Sequence, residues 1–183
     1  MMVETLYGPV SEEVMDRATQ IRLLICDVDG VFSDGRIYLG NNGEELKAFH
    51  TRDGFGIKAI QNAGIAVAVI TGRNSAIVER RMTALGVSHI HQGCEDKVAV
   101  YQDLLTQLNL TPEACAYIGD DLVDLAVMKQ VGLAVGVEDA HPALLPHCHY
   151  RTRIRGGFGA VRELCDLLLQ AQGNLAQAKG MSV

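Results

Sequence analysis

Apolar runs that stop abruptly at acidic or hydroxyl residues recur along this chain. Ile21–Cys26 is apolar except for Arg22 and runs into Asp27-Val28-Asp29-Gly30. Ile65–Ile70 runs into Thr71-Gly72-Arg73, and Ala114–Ile118 into Gly119-Asp120-Asp121. Continuous apolar segments of this length read as strands of a parallel sheet buried on both faces, each delivering its next side chains to the sheet edge. Strands are also expected at Ser88–His91 and Leu133–Val135.

Between them the apolar spacing changes to that of helices. Helices are expected at Ser11–Thr19, with Ser11 as N-cap, and at Gly56–Asn62, ended by Gly64. Others are expected at Ser75–Leu85, Lys97–Leu108, Leu122–Gln130 and Ala160–Gln172. A two-stranded excursion at 36–49 turns at Gly40-Asn41-Asn42-Gly43. Alternation of strands and helices predicts an α/β fold: a Rossmann-like, doubly wound parallel sheet with helices on both faces. The whole chain, 1–183, reads as one domain, with Gly173–Val183 losing apolar periodicity and expected to be a mobile tail.

Composition narrows the classes. The net charge of −6, with no basic run, argues against nucleic acid as a partner. Five scattered cysteines without a C-x-x-C pair suggest neither a zinc knuckle nor a disulfide framework, but a reducing compartment. No apolar run approaches membrane-spanning length and the N-terminus lacks a signal peptide's pattern, so a cytoplasmic protein with no membrane partner is expected.

The strand ends carry the chemistry. Ligands of open α/β sheets bind beyond the carboxyl ends of the strands. There Asp27 can face a bound phosphorus as nucleophile, and Asp29, carried round by the turn at Gly30, can act as acid and then base. Phosphate and carboxylates repel, so a hard divalent cation is needed between them. Magnesium is expected on Asp27, Asp120 and the backbone carbonyl of Asp29. Asp121 and Asp124 are outer residues that either orient a lysine or stabilise a helix start. Thr71 can donate to a phosphoryl oxygen, and Gly72 allows close approach of a ligand to the backbone. Lys97, a cation at a helix N-terminus where the dipole disfavours it, makes sense if it neutralises phosphate and Asp27.

The order Asp27-x-Asp29, Thr71, Lys97, Asp120-Asp121 resembles the four motifs of the haloacid dehalogenase superfamily, whose phosphatases carry an aspartate two residues after the nucleophile. The stretches Ser33-Asp34-Gly35, His50-Thr51-Arg52-Asp53-Gly54, Thr71-Gly72-Arg73 and Gly156-Gly157-Phe158-Gly159-Ala160 narrow the resemblance. They are similar to those of 3-deoxy-D-manno-octulosonate 8-phosphate phosphatases, with Ser33 where threonine is common. That resemblance implies a magnesium-dependent bacterial enzyme of lipopolysaccharide precursor synthesis, usually a homotetramer, acting on a small phosphorylated sugar acid. It implies substrate contacts at His50, Thr51, Arg52, Asp53, Gly54, Lys58, Arg73 and Arg81. For Arg73 the position beside Thr71-Gly72 independently suits a bidentate grip on a carboxylate; for Lys58 and Arg81 a solvated helix face is an equal reading.

The gaps between the motifs are already filled by the 36–49 hairpin and short elements, leaving no room for a cap domain of ~50 residues or more. A neighbouring subunit is the expected wall of the site, with Ile37, Leu39, Leu46 and Phe49 of the hairpin as the oligomerising face. Two readings stay open: a phosphatase for a related nine-carbon keto sugar acid, and a catalytically silent oligomerisation module. His89 and His91 on an edge strand, His147-Cys148-His149, and Arg151, Arg153 and Arg155 have structural readings.

Overall fold

The computed structural model describes residues 1–180. Six parallel strands form the central sheet: β3 (Leu23–Cys26), β6 (Ala66–Ile70), β7 (His89–His91), β8 (Cys115–Gly119), β9 (Leu133–Gly136) and β10 (Tyr150–Arg151), in the order β10-β9-β8-β3-β6-β7. Every residue of β3, β8 and β9 is buried, as their unbroken apolar runs require. The helices are α1 (Glu12–Gln20), α2 (Thr51–Asn62), α3 (Ala76–Ala84), α4 (Lys97–Leu108), α5 (Leu125–Met128) and α6 (Ala160–Ala171). α6 packs against α1 and α2 in one layer, and α4 packs against α5.

The chain lays β6 and β7 on one side of β3, then crosses to lay β8, β9 and β10 on the other. β3 and β8 therefore flank the point where strand order reverses, the crevice at which such sheets bind ligands. Register brings the motifs to one level. Cys26 pairs with Val69 on β6 and with Ile118 on β8, and the Asp27 amide extends the ladder to the Ile118 carbonyl at 3.1 Å.

Differences from the sequence reading are local. α2 starts five residues earlier than expected, at Thr51: the imidazole Nδ1 of His50 caps it by accepting from the Arg52 amide at 3.1 Å. Its glycines are tolerated because α6 lies so close: a Cβ on Gly56 would stand 2.9 Å from that of Cys165. The expected helix 122–130 is a short turn, Leu122–Asp124, followed by α5. An N-terminal hairpin of β1 (Met2–Thr5) and β2 (Gly8–Ser11) was not signalled by the sequence; it is tied to α6 by a 2.6 Å hydrogen bond from Tyr7 to Asp166. Residues 173–180 fold back on the domain, with Leu175–Gln177 against α6 and Asn62 of α2 donating to the Lys179 carbonyl at 2.8 Å; the remainder of the expected tail, 181–183, is outside the described residues.

The 36–49 excursion is a shorter hairpin than its pattern suggests, β4 (Tyr38–Leu39) paired with β5 (Glu45–Leu46). Phe49 packs on the core, but Tyr38, Leu39 and Leu46 are 51%, 75% and 63% exposed. Only this hairpin and α2 separate Asp27 from β6, and only α3 and β7 separate Thr71 from α4. Among the described residues, no helix is long and apolar enough to cross a membrane.

Candidate active site

A cleft of about 590 Å³ opens at the β3–β8 switch point. Asp27, Asp29, Thr71, Gly72, Arg73, Lys97, Asp120 and Asp121 all line it, together with Gly35, Cys94, Glu95 and Val123. Residues from four separate parts of the sequence therefore meet in one place, each at or just after a strand end or at a helix start.

Asp27 is buried, and the Lys97 ammonium stands 3.1 Å from its Oδ1. The same ammonium lies 2.9 Å from Asp124 Oδ1 and donates to the Tyr117 hydroxyl at 3.2 Å. Tyr117 in turn donates to Asp124 Oδ1. The other oxygen of Asp124 accepts from the amides of Asp120 and Asp121, at 3.0 and 3.1 Å. Both oxygens of Asp124 are thus committed to shaping the Asp120 loop and aiming the lysine. Gly119 makes this possible, because a Cβ there would fall 2.6 Å from the Asp124 carboxyl carbon. Asp121 accepts from the Leu122 amide at 2.7 Å, the local capping that its position suggested as one alternative.

Oxygens of Asp27, Asp120 and Asp124 lie within 4.8 Å of one another. Burial, then the charge of Asp124, pushes the Asp27 carboxyl up to about 6, although Lys97 pulls it down. Burial and the charges of Asp27 and Asp124 push Asp120 up to about 8. Crowded, desolvated carboxylates of this kind repel one another, and a hard cation would relieve that repulsion. The loop makes room for it: Gly30, at φ +84°, approaches so closely that a Cβ there would meet Asp120 Oδ2. With Asp124 committed elsewhere, the donors suited to a small oxygen-seeking ion are Asp27 and Asp120. The Asp29 carboxylate is paired instead with Lys47 Nζ at 2.7 Å and lies 3.8 Å from Arg73 Nε, which leaves its backbone carbonyl as the donor the sequence suggested.

The Gly156-Gly157 pair, singled out in the sequence, braces this loop. A Cβ on Gly156 would collide with the Gly30 carbonyl, and Gly157, at φ +84°, donates to the Val31 carbonyl at 2.9 Å. Ser33 is wholly buried, its hydroxyl accepting from the Gly35 amide at 3.2 Å.

Other expected substrate contacts fall outside the cleft lining. His50 caps α2, with Thr51 and Arg52 exposed in its first turn. Asp53 is buried beneath, accepting from the Arg162 amide at 2.9 Å and so capping α6, while Gly54 is buried in the same helix. Arg81 lies near Asp53, whose charge acts on it. Lys58 lines a different depression, with Lys179 and Gly180. His149 accepts from the Ala134 amide at 2.9 Å, bracing β9, and β7, which carries His89 and His91, is an edge strand. Sequence reasoning missed Lys47 and Tyr117. Lys47 looks like one more hairpin charge, and Tyr117 sits inside an apolar strand, so neither carried a signal.

Comparison with known proteins fits this geometry. A haloacid dehalogenase-like hydrolase family model matches residues 44–132. The 3-deoxy-D-manno-octulosonate 8-phosphate phosphatase KdsC of Yersinia pestis is 58% identical over 181 residues, covering 99% of this chain and 97% of that protein. The chain belongs to the KdsC phosphatase family of haloacid dehalogenase-like hydrolases. KdsC of Escherichia coli strain K12 is likewise 58% identical, across 98% of this chain and 95% of its own length. The crystal structure of the Yersinia pestis phosphatase superposes with a TM-score of 0.98 at 57% identity, covering 100% of this chain and 99% of that one. The Moraxella catarrhalis enzyme, solved with a magnesium ion, a phosphate ion and KDO, superposes with a TM-score of 0.88 at 43% identity over 90% of this chain and 95% of its own. As a KdsC-family member, the protein is a phosphoric monoester hydrolase.

Proposed function

We propose that the protein hydrolyses 3-deoxy-D-manno-octulosonate 8-phosphate to the free sugar acid and inorganic phosphate, in lipopolysaccharide precursor synthesis in the cytoplasm. The observation that carries this reading is the meeting of Asp27, Lys97 and Asp120 at the switch-point cleft in a chain 58% identical to KdsC phosphatases.

In the proposed reaction, Asp27 attacks phosphorus. The phosphorus–oxygen bond to the sugar breaks as the bond to Asp27 forms, and Asp29 gives its proton to the departing oxygen. Asp29 then takes a proton from water, whose oxygen bonds to phosphorus as the aspartyl-phosphate breaks. Lys97 holds Asp27 ionised and, with Thr71, faces the charge that builds on the phosphoryl oxygens. Asp27, Asp120 and the Asp29 carbonyl would hold Mg²⁺, whose charge offsets the repulsion between carboxylates and phosphate. Arg73, on the rim, would receive the sugar-acid carboxylate; Gly72 allows the close approach. The contacts expected at 50–54, Lys58 and Arg81 would act indirectly, through α2 and its packing, or at a neighbouring copy's cleft.

Among the described residues, no cap domain covers the cleft. The exposed Tyr38, Leu39 and Leu46 of the hairpin supply an apolar face for self-association, which we assign to a homotetramer whose neighbouring subunit closes the site. The test is phosphate release from purified protein offered 3-deoxy-D-manno-octulosonate 8-phosphate and a nine-carbon keto sugar acid phosphate. Preference for the first, lost with chelator and in folded Asp27→Asn, is expected. Preference for the second, or full turnover by that variant, would overturn the reading.

A further inference from the structure

Lysine is seldom buried unless it is paired, yet the side chain of Lys47 is fully enclosed. Its ammonium lies 2.7 Å from Asp29 Oδ1, across eighteen residues of sequence. Two residues earlier, Glu45 reaches Arg73, with Nη2 to Oε1 at 2.8 Å, and Arg73 Nε stands 3.8 Å from Asp29 Oδ2. Glu45 and Lys47 are two residues apart on an extended segment, so they share a face, while Leu46 between them is 63% exposed on the other. The hairpin thus has a charged face gripping the catalytic loop and an apolar face turned outward.

We propose that Lys47 is a positioning residue for proton transfer. Its contact pins Oδ1 of Asp29; Oδ2, which Arg73 Nε approaches only to 3.8 Å, beyond hydrogen-bond distance, is the oxygen that carries the proton to the leaving group and takes it back from water. Glu45 steadies Arg73 beside it in the same way. The hairpin therefore does more than offer a surface for association: it sets the geometry of the acid–base group, and whatever fixes Leu39 and Leu46 also fixes Asp29. This rests on the assignment of Asp29 as acid and base made above.

A leaving group that departs without a proton separates this role from a structural one. kcat/KM, which covers the chemistry through departure of the alcohol, is measured on 3-deoxy-D-manno-octulosonate 8-phosphate and on p-nitrophenyl phosphate. Lys47→Met is expected to lose ~10-fold or more on the sugar phosphate, within the range acid–base catalysis supplies, and severalfold less on p-nitrophenyl phosphate. Lys47→Arg should recover part of the loss, and Asp29→Asn/Lys47→Met should be no worse on the sugar phosphate than Asp29→Asn alone. Equal losses of Lys47→Met on the two substrates, or losses that multiply in the double variant, would overturn the proposal. Circular dichroism and the unfolding midpoint check folding. If the methionine variant does not fold, Lys47→Arg and Lys47→Gln carry the same substrate comparison: a larger loss on the sugar phosphate supports the proposal, and equal losses overturn it. Failure of the underlying assignment looks different: Asp29→Asn would then itself lose equally on both substrates.

Discussion

Replacing Asp53 with asparagine removes a titrating group from the α2–α6 contact while keeping the acceptor that the Arg162 amide uses at 2.9 Å. Burial pushes this carboxyl from 3.8 to about 7, with the Arg162 amide and the charges of Arg162 and Arg81 pulling the other way. At ~1.4 kcal/mol per pH unit, holding the carboxyl at about 7 instead of 3.8 corresponds to about 4 kcal/mol. The sign follows from which form the fold prefers. The folded protein favours the protonated acid, so the contribution is complete below the unfolded value of 3.8 and is lost as pH rises through about 7. About 3 kcal/mol of it should disappear between about pH 5 and pH 8. Urea unfolding of the wild type and Asp53→Asn, at one protein concentration and across that pH range, isolates the effect, because every other titrating group is common to both. The stability difference should move in favour of the asparagine variant by a few kcal/mol as pH rises. Parallel pH profiles, or a shift toward the wild type, would refute the claim that Asp53 is a buried acid serving α6 rather than an ionised substrate ligand.

Three further outcomes follow from the site. Lys97→Met leaves Asp27 and Asp124 buried without their cation; breaking such a pair costs about 3–5 kcal/mol, so its unfolding midpoint in urea should fall along with its turnover. Gly30→Ala combines a φ of +84° with a Cβ that would run into Asp120 Oδ2, and should weaken Mg²⁺ binding by calorimetry while leaving the far-ultraviolet circular dichroism of the wild type. Because Asp27 and Asp120 are raised to about 6 and about 8 and must ionise to hold a cation, Mg²⁺ affinity should climb as pH rises through that interval. A flat profile there would contradict the assignment of these two ligands.

Much of this arrangement can be read from the chain because buried parallel strands are written as unbroken apolar runs, and Asp27, Thr71 and Asp120 stand where those runs end. Lys97 was legible for the opposite reason: it breaks the dipole preference at the start of α4, and the structure buries it against Asp27 and Asp124. What the sequence hid was long-range. The early start of α2 depends on an unconventional histidine cap and on Gly56 meeting Cys165, over a hundred residues away. β10 is two residues long and takes its identity from pairing with β9. Lys47 carries no local mark of burial, since Asp29, which permits it, approaches only once the hairpin folds over the catalytic loop.

The central claim is that Asp27 receives the phosphoryl group beside a cation shared with Asp120. A crystal structure of the protein with Mg²⁺ and beryllium fluoride tests it most directly. Beryllium should be bonded to one carboxylate oxygen of Asp27, with magnesium roughly 2.0–2.1 Å from the other and from an oxygen of Asp120. Fluoroberyllate on a different residue, or magnesium bound away from Asp120, would contradict it.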